Sequence, residues 1–169
     1  MRDEESEDMA LRWAKAAWRA LSLSIPVDVD LVRRRLGLYV RRQELGATDG
    51  YLLSTAKRVY IVVNSLHPIE RQRFTICHEI AEFCLMRYLS RRTRLPARHR
   101  NFTAGQAKER LCDRFAVNIL MPEQLVLQTA KELRHRRGNN KTDVLASRFG
   151  VSQNAMKLRL RELAAPRNP

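Results

Sequence analysis

The sequence contains little of what marks secreted, fibrous or membrane-embedded proteins. It has three cysteines, six glycines and six prolines among 169 residues. Because the cysteines are odd in number and form no Cys-x-x-Cys pair, we expect reduced, buried thiols and no disulfide framework. No apolar run is long enough to cross a bilayer, and the acidic N-terminus does not resemble a secretory signal. These absences predict a cytoplasmic protein with no membrane partner.

Acidic residues are also scarce relative to basic ones. Asp and Glu number 18 against 32 Lys and Arg, which gives a formal net charge of +14. Such an excess suits a nucleic acid, an acidic protein partner or simply a basic solvated surface, and charge alone locates no site. With 44% hydrophobic residues the chain can still build a core, and its length fits one domain with a small appendage.

Hydrophobic periodicity predicts a helix-rich α+β fold with a small three-stranded sheet, mixed or antiparallel. The pattern indicates helices over roughly 7–22, 30–36, 68–88, 104–120 and 123–134, and strands over roughly 38–42, 51–55 and 58–64, the last two as a hairpin. Residues 138–169 show the pattern of a helix-turn-helix, which has a small residue, a glycine four residues later and a serine that caps the next helix. We therefore expect a main domain over 1–137 and a helical extension over 138–169 packed on it.

The most informative segment is the apolar stretch 73–85, which carries the polar residues His78, Glu79 and Glu82. His78 and Glu82 are four residues apart and therefore share one face of a helix. The zinc-peptidase motif His-Glu-x-x-His uses the same spacing for two metal ligands, with the Glu between them as general base. In this sequence Glu82 stands where that motif has its second histidine.

A second polar pair, Glu109 and Asp113, lies one helical turn apart on a later helix. A catalytic zinc needs three protein ligands, and His78, Glu82 and Glu109 could supply them. Asp113 would then accept a hydrogen bond from the other ring nitrogen of His78. Glu79 would take a proton from the attacking water and pass it to the leaving amine.

Five segments, in this order and spacing, resemble the ImmA/IrrE family of metallopeptidases, whose metal site is similar to that of the gluzincins. They are the strand after Gly37, residues 60–64, residues 73–79, Glu109-x-x-x-Asp113-x-Phe115-Ala116 running into 119–122, and the tail 149–160. The resemblance covers about residues 10–165 and implies a zinc-peptidase-like domain. It also implies a cytoplasmic zinc endopeptidase that cleaves a helix-turn-helix repressor and so derepresses phage, mobile-element or stress-response genes.

Three interpretations of Glu82 follow from its place in the pattern. In the first it is a ligand, and two anionic ligands would admit Mn²⁺ or Fe²⁺ as well as Zn²⁺; changing Glu82 to His should then raise zinc affinity. In the second it pairs with an arginine such as Arg73 or Arg114, and the protein is a catalytically degenerate member that binds a repressor or DNA. In the third it is one exposed helix charge, although an unpaired carboxylate in an apolar helix is costly.

Candidates for stabilising the oxyanion are a His or a Tyr, since related peptidases use these residues. His99, in a basic loop over 90–103, is our candidate, and Tyr51, Tyr60 and Tyr88 compete with it. The sequence alone does not choose among the four.

The helix-turn-helix-like tail provides a rival function, DNA binding. Polar residues of its last helix would face a groove, and basic residues before it would contact phosphates. These residues are Ser152, Gln153, Asn154, Lys157 and Arg159, and Arg134, Arg136, Arg137 and Lys141. We favour a helical pair packed on the peptidase core, because Met156, Leu158 and Leu160 leave few polar positions on that helix.

Overall fold

The computed structural model describes residues 2–90, 105–133 and 141–165. These ranges contain seven helices and three strands. In chain order they are α1 (Arg2–Leu21), α2 (Val29–Arg35), β1 (Leu38–Gln43), β2 (Gly50–Ser54), β3 (Val59–Asn64), α3 (Ile69–Ser90), α4 (Gln106–Leu120), α5 (Glu123–Glu132), α6 (Lys141–Phe149) and α7 (Gln153–Ala164). The predicted α+β class is confirmed, and across the described ranges no helix is both long and apolar enough to span a membrane.

The helix boundaries agree with the predicted ones except at the start of the chain. Helix α1 begins at Arg2, about a turn before the predicted start at residue 7. The first residues of α1 are mostly acidic and show no apolar periodicity, so a pattern search passes over them. Acidic side chains nevertheless favour a helix N-terminus, where they face the positive end of the helix dipole.

The sheet is mixed, with the strand order β1-β3-β2. Strands β2 and β3 form the predicted antiparallel hairpin, and the backbone N–H of Thr55 donates to the carbonyl of Arg58 at 2.8 Å in its turn. Strand β1 runs parallel to β3. Because β3 is central, Ile61 and Val63 are fully buried in the main core. Strand β2 is left at the edge of the sheet.

One hydrophobic core joins the sheet to helices α1, α3 and α4. Its fully buried members include Ile61, Ile76, Ile80, Leu111 and Ile119. Burying each such side chain contributes about 1.5–3 kcal/mol. The indole of Trp18 also donates to the carbonyl of Ile119 at 2.9 Å, which ties α1 to α4. This packing holds α3 and α4 side by side and thereby sets the distances between their polar residues.

The three cysteines lie in this framework as free thiols, as predicted. Burial raises the pKa of Cys77 to about 12 and that of Cys84 to about 11, and burial also raises the pKa of Cys112. A thiol with so high a pKa stays protonated near neutral pH, and the thiolate is the reactive form. The cysteines are therefore packing residues.

Helices α6 and α7 pack on each other, and the turn between them contacts the first turns of α3. The turn between them contains Gly150 at φ +62°, a conformation that favours glycine. Arg73 on α3 pins this turn, since its Nε donates to the carbonyl of Gly150 at 2.9 Å and its Nη2 to that of Val27 at 2.8 Å. Ser152 caps α7 by accepting from the backbone N–H of Ala155 at 3.2 Å, which confirms the predicted cap. The division at residue 137 stays a prediction.

Several sequence predictions fall outside the described residues. These are the loop over 90–103 beyond Ser90, with His99, and the linker residues 138–140. Three proposed phosphate contacts, Arg134, Arg136 and Arg137, also lie outside the described ranges.

Candidate metal centre

Helix α3 brings together the three polar residues that the sequence singled out. One ring nitrogen of His78 and carboxylate oxygens of Glu79 and Glu82 lie within 4.8 Å of one another. Nitrogen and oxygen atoms at such separations could converge on one metal ion after small rotamer changes. The described residues therefore contain a group that could bind a metal.

Both ring nitrogens of His78 face carboxylates of α4. Nδ1 lies 2.9 Å from Oδ1 of Asp113, and Nε2 lies 3.3 Å from Oε2 of Glu109. A proton on Nδ1 would be donated to Asp113 and would leave the lone pair of Nε2 for a metal. Burial alone would lower the pKa of His78, but the hydrogen bond and charge of Asp113, with the charges of Glu79 and Glu109, raise it.

Glu79 is the most shielded carboxylate of the group, with 6% of its surface exposed. Its Oε2 is buried and receives no hydrogen bond from any described residue. Burial, and then the neighbouring charge of Glu82, raise the pKa of Glu79 to about 7. A buried carboxylate without a donor is costly. A cation placed among these oxygens would relieve that cost, so the site fits a divalent metal.

Glu82 is half-buried and paired, but neither predicted arginine is its partner. Lys108, on α4, approaches Oε1 of Glu82 to 2.8 Å. The prediction of an arginine partner is wrong, since Arg73 binds backbone carbonyls and Arg114 binds Glu7 and Glu162. The third interpretation, an isolated exposed charge, is wrong as well.

Lys108 is the residue of this site that sequence reasoning missed. Besides Glu82, its Nζ lies 3.8 Å from Oε1 of Glu109. Burial would lower the pKa of Lys108, but the hydrogen bond and charge of Glu82 raise it, so the ammonium stays charged. The only hint in the sequence was that Lys108 directly precedes Glu109, and a lysine at such a position usually points into solvent. The partner on α3 becomes visible only when the helices are packed.

The site opens into a cleft of about 1030 Å³ between β2, α3 and α4. At its rim β2 approaches α3 so closely that a Cβ at Gly50 would lie 2.5 Å from Cγ2 of Thr75. The same Cβ would lie 2.6 Å from the backbone oxygen of Val62, so only glycine fits there without a shift of the backbone. Asp49 and Arg71 form an ion pair at one end of the cleft.

The structure places the three tyrosine candidates for oxyanion stabilisation in different surroundings. Tyr51 lines the cleft. Tyr60 instead packs against Tyr39, with ring centroids 5.6 Å apart and ring planes tilted by 45°, and does not line the cleft. Tyr88 lines a different cavity, between α1, α2 and α3. Of the three, Tyr51 alone is placed to meet a substrate, and its role stays a prediction.

Arg159, one of the residues that the DNA-binding interpretation places in a DNA groove, is buried in the protein. Arg159 is 4% exposed and donates to the carbonyl of Met121 at 3.1 Å, to Asn118 Oδ1 at 2.9 Å and to Glu162 Oε2 at 3.1 Å. Its placement in a DNA groove is therefore wrong. Gln153, Asn154 and Lys157 are exposed on the outer side of α7. Helix α7 thus packs its one buried guanidinium into the protein.

The described residues therefore place a His and three Glu on two packed helices, beside a cleft edged by a small sheet. The chain belongs to the peptidase family described as "IrrE N-terminal-like domain", whose model matches residues 33–161. This confirms the resemblance noted in the sequence.

A solved structure described as a Mycobacterium tuberculosis transcriptional regulator is similar to the chain, with a TM-score of 0.63 and 19% identity. The match covers 99% of this chain and 53% of that one, so the chain spans about half the length of that protein. At this identity the likeness shows the fold alone. The search of curated proteins finds no match.

Proposed function

We propose that the chain is a metal-dependent endopeptidase whose active site is the cleft beside His78. The observation that carries this proposal is Glu79, whose buried Oε2 has no donor among the described residues and which has a carboxylate oxygen within 4.8 Å of a His78 ring nitrogen. Active sites commonly contain carboxylates in such unfavourable surroundings, because a shifted pKa suits the group to act as a catalytic acid or base. Membership of a peptidase family supports the same conclusion.

His78 Nε2, Glu82 and Glu109 would hold the metal, and Asp113 would orient His78 through Nδ1. Zn²⁺ accepts nitrogen and oxygen ligands, and the additional carboxylate would suit Mn²⁺ or Fe²⁺ as well. When bound, the metal would act as a Lewis acid and make water nucleophilic near neutral pH. Glu79 would take the proton of the attacking water and return it to the leaving amine.

As substrate we propose a helix-turn-helix transcriptional repressor, whose cleavage would derepress phage, mobile-element or stress-response genes. Membership of the family described as IrrE N-terminal-like supports this choice. The net charge of +14 would favour encounter with an acidic linker in the substrate.

A second candidate function is a catalytically degenerate module that binds a repressor or DNA without cutting. The observation that favours it is the Lys108–Glu82 pair, which already gives the proposed ligand Glu82 a cation. Metal binding distinguishes the two candidates, because a degenerate module needs no metal.

The test is metal analysis of the purified protein, followed by incubation with a helix-turn-helix repressor and Zn²⁺ or Mn²⁺. We expect one bound metal, lost in Glu109→Gln, and cleavage that is lost in Glu79→Gln but kept in Glu132→Gln. Glu132 is an exposed residue outside the cleft and so provides a matched control. Equal cutting by wild type and Glu79→Gln would indicate a contaminating protease. A wild-type protein that binds no metal would support the degenerate module.

A further inference from the structure

We propose that Lys108 is a positioning residue for the metal centre, and that Glu82 and Lys108 together replace the second histidine of His-Glu-x-x-His. This inference rests on the proposed metal site. Imidazole is a neutral ligand, whereas a carboxylate brings a negative charge. The ammonium of Lys108, 2.8 Å from Glu82 Oε1, cancels that charge. The pair is therefore as neutral as the histidine that it replaces.

The geometry of the pair leaves a ligand atom for the metal. A carboxylate has two oxygens, and the 2.8 Å contact of Lys108 is made with Oε1 of Glu82. An oxygen of Glu82 also lies within 4.8 Å of a His78 ring nitrogen. The side chain of Glu82 is 23% exposed and that of Lys108 28%, so water screens their attraction only in part. A carboxylate held at one oxygen is oriented for a ligand at the other, as partners of ligating side chains commonly arrange.

Glu109 is a second carboxylate near Lys108, so the pairing of Lys108 with Glu82 also affects Glu109. Glu109 Oε1 lies 3.8 Å from Lys108 Nζ, and Glu109 Oε2 lies 3.3 Å from His78 Nε2. With Glu82 present, Lys108 makes its shorter contact there. Without Glu82, Glu109 is the nearest remaining carboxylate, and Lys108 would compete with the metal for it.

This arrangement reverses the expectation drawn from the sequence for Glu82→His. The sequence alone predicts a gain in zinc affinity, because the two-histidine motif is restored. With Lys108 still present, the new histidine would stand beside an unpaired ammonium that turns to Glu109. The zinc affinity lost in Glu82→His should return only when Lys108 is removed as well.

The experiment is a double-mutant cycle in zinc affinity, measured by competition with a chelating dye on wild type, Glu82→His, Lys108→Met and the double variant. We expect Glu82→His alone to bind zinc about tenfold more weakly than wild type, as is typical when the partners of metal ligands are disturbed. Adding Lys108→Met should recover most of that loss. Lys108→Met alone should also weaken zinc binding, because Glu82 loses the partner that positions it. The two changes would therefore couple by at least about tenfold, as expected for residues in direct contact.

Two further variants control for charge and for folding. Glu82→His with Lys108→Arg keeps the cation and should show no recovery. Lys131→Met removes an exposed lysine of α5 and should leave zinc affinity unchanged. Circular dichroism confirms that each variant is folded before its affinity is read.

The outcomes separate this inference from the proposed function. If wild type binds metal and the two changes are additive, Lys108 has no positioning role and the metallopeptidase proposal stands. If recovery occurs with Lys108→Arg as well, the charge of Lys108 is not the cause and the inference fails. If wild type binds neither zinc nor manganese nor iron, both proposals fail together.

Discussion

Two buried charges, Arg159 on α7 and Glu79 on α3, are shielded to almost the same extent but satisfied very differently. Arg159 is 4% exposed and donates to a carbonyl, an amide oxygen and a carboxylate. Glu79 is 6% exposed, and its Oε2 has no donor among the described residues. A buried charge is tolerated when it is paired and costs stability when it is not. Arg159 therefore joins parts of the fold, whereas Glu79 lies in surroundings that cost stability, as expected of the general base that we propose.

The sharpest test of this contrast is Glu79→Gln, which should impair function and spare stability. Loss of a general base lowers kcat/KM by about 10²–10⁴-fold. The free energy of unfolding should fall by no more than about 1 kcal/mol, because no protein hydrogen bond to Oε2 is lost. Cleavage kinetics and urea denaturation measure the two effects. A variant that keeps its activity would remove Glu79 from the mechanism.

The converse change is Arg159→Met, which should spare the metal and impair stability. It removes three hydrogen bonds around a buried charge, and breaking such a network costs about 3 kcal/mol. The metal content of the folded fraction should stay unchanged, since the hydrogen bonds of Arg159 go to Met121, Asn118 and Glu162 and not to a proposed ligand. Arg161→Met, an exposed change on the same helix, should cost less than about 0.5 kcal/mol. Equal urea midpoints for these two variants would refute a structural role for Arg159.

Asp113 lies between the two cases, because it is exposed yet holds His78 through a 2.9 Å contact. Asp113→Asn keeps the shape but removes the charge and can present an amide donor to Nδ1. We expect metal affinity to fall by about 10–100-fold, the usual effect of changing a partner of a ligating histidine. Titration with zinc in the presence of a chelator measures it, and an unchanged affinity would show that Asp113 does not orient the ring.

The smallest effect should come from the exposed pair of Asp49 and Arg71. The hydrogen bond from Arg71, and its charge, hold the pKa of Asp49 below its usual value although burial opposes the shift. The pair therefore stabilises the fold above the unfolded pKa, about 3.9, and the contribution disappears as pH falls through the lower folded pKa. Because both side chains are more than a third exposed, we expect under about 1 kcal/mol at pH 7.

Comparing the unfolding free energies of wild type and Asp49→Asn between pH 7 and pH 3 measures this contribution. The difference should shrink towards zero at the acidic end. A difference that is constant across the range would assign the effect to something other than the charge of Asp49.

Local patterns were sufficient to predict the elements that carry the site. The one-turn spacings of His78 with Glu82 and of Glu109 with Asp113 depend only on helix geometry, so each pair could be placed on a face without knowing the fold. The same holds for the Ser152 cap and for the β2–β3 hairpin, which depend on neighbouring residues. The parallel pairing of β1 with β3 could not be derived in this way, because it joins strands that are separated by another strand.

What the sequence by itself determined is therefore the set of helices and strands, the family, and the polar groups on each helix face. Only the tertiary structure decided which charges meet: Lys108 with Glu82, Arg73 with the Gly150 turn, and Arg159 with the end of α4. The physical reason is that a long cationic side chain can reach several carboxylates or carbonyls. Its partner is selected by how the helices pack against one another, and a pattern within one helix contains no information about that packing.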